Sequence, residues 1–440
     1  MNFLSKFTIA VFLLPVVGVQ AQTTGKPFTG DSLSFSAVIN EVMQNYPSIK
    51  KAEQETEVAN AKIGLAKSAY YPDVNLTSSY TRIGPVSEVS FPGFGTFSFY
   101  PKDNISTNLN YNQTIYDFGK TAKNVSLEYQ NRELSQLSVE QLKQRLSYSL
   151  VNSYYTTVFL QEAIRIKDEE LTTLGEHLYF VEKREATGSA TQYEILTTKV
   201  RISTIENQKT DLLTSLQVQL CQLNSFLGKP QDNALTVKDE LRIPEEVAPA
   251  DSLIAFALAH REEMKIARQK SELAEMRYKI VNARNNPEFN FFASGGFKNG
   301  YTPDLNEEKA NYAVGIGFKL PVFDAWRTKY NRLQVKAEIK SNDEDSELAR
   351  RNIVNEVVES RANTQASLKK VMQSELQLQQ AQQAFALAKT SFQSGSITNL
   401  DLLDSSTSVS ESKLALLKTQ IDYTVSLLKL KIALGERIYQ

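Results

Sequence analysis

The chain is almost without cysteine and histidine. Its 440 residues hold one cysteine, Cys221, and two histidines, His177 and His260. One thiol cannot close an intramolecular disulfide or supply a Cys-based zinc site. Neither histidine lies in an H-E-x-x-H or H-x-x-x-H pattern, and no G-x-S-x-G, Walker A or dinucleotide fingerprint occurs. The composition therefore offers no catalytic constellation, cofactor site or metal site, and the chain reads as non-enzymatic. An excess of one charge is also missing. Lys+Arg number 49 against Asp+Glu 50, a formal net charge of −1, so no nucleic-acid partner is expected. Charged residues, at 22%, are too few for a disordered charged tail.

Long apolar runs are scarce as well. Lys6 followed by the apolar stretch Phe7 to Val19 and the small-residue site Val19-Gln20-Ala21 reads as a signal peptide over 1–21. The mature chain would start at Gln22 in an exported protein, and with no cysteine nearby an N-terminal lipid anchor is not available. After it, no run is long enough for a transmembrane helix. Residence in a membrane would have to use strands.

What is present is a repeat. Gly188-Ser189-Ala190-Thr191 returns as Gly395-Ser396-Ile397-Thr398, 207 residues on. Tyr116-Asp117-Phe118-Gly119-Lys120 and Phe323-Asp324-Ala325-Trp326-Arg327 share that offset, as do Leu227-Gly228 and Leu434-Gly435. Upstream, Tyr71-Pro72 matches Asn286-Pro287 at 215, so the first half carries a longer loop between Pro72 and Tyr116. The halves are expected at 22–228 and 251–440, joined by an irregular linker, 229–250, with Pro230, Pro244 and Pro249.

Each half reads in the same order. One helix (33–70; 252–285) ends before a proline. Two strands (73–83 and 104–115; 288–298 and 311–322) alternate apolar with small or polar residues, with Phe292 breaking the pattern. A long helix follows (121–187; 328–394); roughly 67 residues would reach about 100 Å, so it needs packing along its length. A Gly-Ser turn then leads to a return helix (190–227; 398–434). Leu414, Leu417, Ile421, Val425, Leu428 and Ile432 form a coiled-coil seam there.

Four strands cannot close a barrel, and an open sheet edge cannot sit in lipid. Three copies would supply twelve strands and a hollow cylinder of long helices. The fold class is mainly α with a small β part: a tandem-repeat, long-helix coiled-coil tunnel, plus four strands per chain in a 12-stranded trimeric β-barrel.

This order resembles the TolC family of outer-membrane efflux proteins over essentially the whole mature chain. The residues that carry the resemblance are Asn45-Tyr46-Pro47, Tyr116-Asp117-Phe118-Gly119, the two Gly-Ser turns, and the stretch Asn399 to Asp404. It implies a homotrimer in the outer membrane of a Gram-negative bacterium, set in lipid and reaching into the periplasm. There it would dock a periplasmic adaptor (membrane fusion) protein and an inner-membrane pump of the RND, ABC or MFS class. It would act as a passive exit duct for efflux or type I secretion.

Asp401 and Asp404 lie three residues apart on one helix face, and trimer symmetry would turn each into a ring of carboxylates at a narrow entrance. Glu194 is the repeat equivalent of Asp401. The plainer alternative for all three is complementing a helix N-terminus. Phe392 and Ile397 flank the second turn, so packing is expected to hold much of the closed gate. Gly188, Ser189, Ala190 and Thr191, with Gly395, Ser396, Ile397 and Thr398, are the adaptor-contacting candidates as well as turn residues. Tyr116, Asp117, Phe118, Gly119, Phe323, Asp324 and Trp326 mark the barrel-to-helix junction. Phe91, Phe94, Phe97, Phe99 and Tyr100 crowd the longer outer loop, expected to pack on itself and the barrel rim, with a narrowed outer mouth as the alternative. Cys221, His177 and His260 are read as packing or surface residues. A trimeric surface stalk or adhesin with a barrel anchor remains the alternative, although strand pairs buried between helices in each half favour a duct.

Overall fold

A computed structural model describes residues 32–93, 95–238, 241 and 248–439. The expected signal peptide, Phe94 and Pro244 lie outside the described residues. The first half runs β1 (Ser32–Leu33), α1 (Phe35–Asn45), α2 (Pro47–Ser68), β2 (Asp73–Arg82), β3 (Glu88–Phe91), β4 (Gly95–Ser98), β5 (Asp103–Tyr116), α3 (Lys120–Glu185) and α4 (Gln192–Leu227). The second runs β6 (Thr236–Val237), α5 (Ala250–His260), α6 (Glu262–Ala283), β7 (Glu288–Lys298), β8 (Lys309–Lys319), α7 (Arg327–Gln393) and α8 (Asn399–Ala433).

The first helix of each half is two helices. Proline at position 47 explains the first break: it pushes Tyr46 out of the helical region and opens α2 as its first residue. The second break, at Arg261, has no proline. There the Arg261 guanidinium is buried and bonds the Ala433 carbonyl (3.1 Å), Glu356 (2.8 Å) and Glu263 (2.8 Å). A buried side chain bonded to the buried Ala433 carbonyl and to the partly exposed Glu356 and Glu263 holds the chain in an extended step that sequence periodicity does not reveal. The linker is not wholly irregular either, because β6 pairs in parallel with β1.

At 66 and 67 residues, α3 and α7 each span about 100 Å. Along them α4 packs on α3, α3 on α8 and α8 on α7, while α2 and α6 cover the ends nearer the sheet. The seam of α8 is buried where expected. Leu417, Ile421, Leu428 and Ile432 join Leu150, Tyr154 and Leu223 in the main core, with Leu414 and Val425 against it. Higher up, a buried Lys167–Glu170 pair (2.9 Å) receives the Ser410 hydroxyl (2.5 Å), tying α3 to α8.

The four long strands form one antiparallel sheet in the order β2-β5-β7-β8. The register puts Val74, Leu76 and Tyr80 on one face with Ile105, Leu109, Tyr111, Phe291, Val314 and Ile316. Asn75, Thr77, Asn108 and Asn110 line the other, where the Asn110 amide donates to Thr77 (2.9 Å) and Asn75 (3.2 Å). Phe292 breaks the alternation because it lies on this polar face, over Gly315, whose missing Cβ makes room for the ring. Among the described residues, β2 and β8 have no outer neighbour in this sheet.

Candidate functional site

At the end of the long helices farthest from the sheet, each half makes the same tip. Ser189 N–H donates to the Arg184 carbonyl (2.8 Å) and Gly188 N–H to that of Glu185 (2.8 Å), a Schellman closure with Gly188 at φ 73°. Ser396 to Ser391 (2.8 Å) and Gly395 to Phe392 (3.1 Å) repeat it, with Gly395 at φ 76°. Thr191 and Thr398 then cap α4 and α8 through capping boxes closed by Glu194 and Asp401.

The carboxylates thus divide by role. Asp401 accepts from the Thr398 hydroxyl (2.7 Å) and amide (2.9 Å), and these bonds hold its carboxyl below the usual range. Glu194 accepts from the Thr191 amide (3.3 Å) and hydroxyl (3.2 Å). Asp404 is not a free carboxylate: Arg201 of α4 donates to it at 2.5 Å, although the aspartate stays 61% exposed. Each therefore has a structural use within one chain; Asp401 and Asp404 remain exposed and Glu194 is half-buried.

Phe392 is buried at 4% exposure among Val181, Ile195 and Leu402, with Ile397 packed against them. The Arg184 guanidinium lies over the Phe392 ring (5.4 Å) and over Phe180 (5.9 Å). Packing joins the two tips, and the Arg201–Asp404 pair adds an ionic link.

The residue that sequence reasoning missed is Asn399. Its amide donates to the Glu194 carbonyl (3.3 Å), Thr197 (3.2 Å) and Thr198 (3.3 Å) of the other hairpin. Its Oδ1 lies 2.6 Å from His177 Nε2. With the amide hydrogens so engaged, Oδ1 must accept, which assigns the imidazole a proton on Nε2. Burial lowers the His177 pKa, only partly offset by the Asn399 bond and the Glu194 charge. A polar residue just after a capping threonine was the available signal, but it did not reveal a cross-hairpin bond. Cys221 is half-buried, its thiol 3.4 Å from the Gln231 carbonyl.

At the opposite end of the long helices, Asp117 accepts from the amides of Gly119 (2.9 Å), Lys120 (3.1 Å) and Thr121 (2.7 Å). Burial pushes its carboxyl up, but the bonds from Thr121, Gly119 and Lys120 outweigh it and leave the pKa lowered. Asp324 caps α7 through the Thr328 amide (2.9 Å). The intervening turn uses positive φ at Phe118 (55°) and Gly119 (81°), then at Ala325 (52°) and Trp326 (65°). Tyr116 stacks edge-on against Phe118 (4.6 Å), as Phe323 does against Trp326 (6.2 Å).

The outer-membrane efflux protein family model matches residues 38–229 and 253–436, one block for each half. The chain belongs to the outer membrane efflux protein family. Outer membrane protein TolC of Salmonella enteritidis is 18% identical over 431 residues, covering 96% of this chain and 86% of the relative. The cation efflux system protein CusC of Escherichia coli is 23% identical over 411 residues, covering 90% and 85%. The solved structure of VceC from Vibrio cholerae superposes with a TM-score of 0.74 at 22% identity, covering 92% of this chain and 97% of that one. The open state of the MtrE channel of Neisseria gonorrhoeae gives 0.74 at 17%, covering 92% and 90%. The chain is thus an outer-membrane efflux channel, with a long helical tunnel on the periplasmic side. No helix of the described residues is long and apolar enough to cross a membrane.

Proposed function

We propose that three copies of this chain close a duct whose periplasmic entrance is formed by the paired helical tips. The unpaired edges β2 and β8 carry this reading, since backbone groups at a sheet edge in lipid need a partner strand. A neighbouring copy's β8 against β2 supplies it. The tunnel walls agree: Tyr193, Leu196 and Val200 form an exposed apolar stripe on α4, and Met372, Leu376 and Leu387 are exposed on α7.

The tips Gly188–Thr191 and Gly395–Thr398 receive a periplasmic adaptor, and an inner-membrane pump supplies the energy. Asp401, Asp404 and Glu194 set the electrostatics of the entrance. Threefold repetition of the capping-box carboxylates Asp401 and Glu194 gives an acidic ring that favours cations, while Arg201 offsets the charge of Asp404.

Single-channel recording of the reconstituted protein tests the proposal. The expected result is a cation-selective conductance from a cross-linkable trimer, with selectivity lost in Asp401→Ala/Asp404→Ala. Unchanged selectivity in that variant would confine both aspartates to their roles within the chain. A membrane-inserted species that never cross-links beyond a monomer would remove the trimer.

A further inference from the structure

The outer loop holds a second, separate hairpin. In β3 and β4, Val89 faces Phe97 and Phe91 faces Gly95, with Glu88 opposite Ser98 and Ser90 opposite Thr96. Residues directly opposite share a face, so the hairpin is two-sided. Val89, Phe91 and Phe97 occupy one side, and Phe99, joined to Ser87 by a backbone bond, extends it. The other side is polar, with Ser90 bonded to Thr96 (2.7 Å) and Ser98 to Glu88 (3.5 Å).

The aromatic side is bare. Phe91, Phe97 and Phe99 are 54%, 53% and 61% exposed, and among the described residues the one ring contact on this face is Phe91 to Phe97 at 6.2 Å. Apart from that contact, the described aromatic residues of the loop stay exposed rather than packing on themselves as the composition suggests, and Phe94 lies outside the described residues. Four exposed apolar side chains on one side of a short hairpin need a nonaqueous neighbour.

The register of the main sheet indicates which neighbour. Tyr80 opposite Ile105 belongs to the lipid-facing side, and so does Arg82 opposite Asp103. One step outward, the Ile83 amide bonds the Lys102 carbonyl (2.8 Å), which places Lys102 on the lumen side. Lys102 reaches Glu88 on the hairpin's polar side, with Nζ 3.7 Å from Oε1. The polar side of the hairpin thus continues the lumen face of the sheet, and the aromatic side continues the face that meets lipid.

We propose that the β3–β4 hairpin is an interfacial foot that lays Val89, Phe91, Phe97 and Phe99 into the outer leaflet beside the barrel. The polar side keeps Glu88, Ser90, Thr96 and Ser98 toward water. The inference rests on the sheet facing lipid, and the test separates the two.

Two single variants, Phe97→Trp and Leu76→Trp, would be reconstituted into dioleoylphosphatidylcholine vesicles and into vesicles of its dibrominated analogue. Tryptophan emission is read as the difference from the parent protein, which carries Trp326. Leu76 is 69% exposed on the lipid-facing side of β2 and reports the barrel itself. The proposal expects brominated lipid to quench both variants. Quenching of Leu76→Trp alone overturns the foot and keeps the barrel; quenching of neither overturns both. A Phe97→Trp emission that is blue-shifted yet unquenched by bromine places the hairpin against another copy across the mouth. In that case Phe91→Asn/Phe97→Asn/Phe99→Asn raises conductance, whereas a lipid foot leaves it unchanged.

Discussion

Tyr46 and Arg261 take the same backbone conformation at the same place in the two halves, φ −66°, ψ 127° and φ −62°, ψ 134°. Each also donates its backbone N–H four residues back, Tyr46 to Val42 and Arg261 to Ala257, both at 2.9 Å. The side chains then diverge. Tyr46 rests on the Phe226 ring at 5.8 Å, whereas Arg261 donates to the carbonyl of Ala433, the residue in the position equivalent to Phe226. An aromatic contact in one half is replaced by a buried guanidinium in the other.

That substitution makes the second half dependent on one charge. Arg261→Met leaves the Ala433 carbonyl without its partner and strips Glu263 and Glu356 of theirs. Glu263 and Glu356 stay partly exposed and are screened by water, so the main cost is the unpaired buried Ala433 carbonyl, about 1–3 kcal/mol, and a fall in melting temperature is expected. Arg261→Lys keeps the charge but not the fork and should recover only part of it. Unaltered melting of the methionine variant would show that the network adds no stability.

The barrel-to-helix turn gives a second expectation. Asp117→Ala removes the acceptor for three amides at the start of α3, a loss of about 1–2 kcal/mol on the scale of N-cap deletions. Because its folded pKa is lowered below 3.8, the bonded carboxylate stabilises the protein fully above that value. The contribution disappears as pH falls through the folded value, and the alanine variant lacks that acid-dependent step. Gly119→Ala, at φ 81°, should add roughly 1 kcal/mol of left-handed strain. Melting curves in detergent from neutral to acid pH measure both.

Asn399→Leu should loosen the two hairpins. It deletes three donated bonds and leaves His177 Nε2 facing an apolar group in a mostly buried setting. An unsatisfied buried polar group costs about 1–3 kcal/mol, and the tips should separate more readily. A larger or more frequently open single-channel conductance is the expected result. A conductance equal to that of the parent would mean that Phe392 packing and the Arg201–Asp404 pair set the contact without Asn399.

Most of the architecture was legible because it is periodic. The alternating residues of β5 and β8, the apolar steps of α8 and the Gly-Ser turns each express a local rule, and the 207-residue offset doubles every signal. The breaks differ: Pro47 announces the first, but Arg261 is held by Ala433 and Glu356, far away in sequence. The site was legible by position and not by bonding. Asp401 and Glu194 sit where capping boxes form, whereas the Arg201–Asp404 and His177–Asn399 links depend on how the two hairpins lie side by side. Long-range pairs of that kind have no sequence spacing to read.

The His177–Asn399 bond also carries a pH expectation. The imidazole lines an apolar cavity with Phe180, Phe385, Phe392, Leu402 and Leu403, and the charged groups around it are Glu176 and Arg184 on α3, Glu194 on α4 and Lys389 on α7. Burial lowers its pKa below the ordinary 6.5, so the folded tips favour the neutral ring. The sign follows: the contact is fully stabilised above about 6.5 and weakens as pH falls through the folded value. Conductance should therefore rise on mild acidification from about pH 7 to about pH 5, a range in which ordinary carboxylates remain largely ionised. His177→Gln keeps an amide donor for Asn399 but cannot titrate, and it should flatten that rise while leaving conductance at neutral pH close to the parent. An equal rise in the glutamine variant would assign the effect to other groups at the tip, and no rise in the parent would show that protonation of His177 does not open the contact.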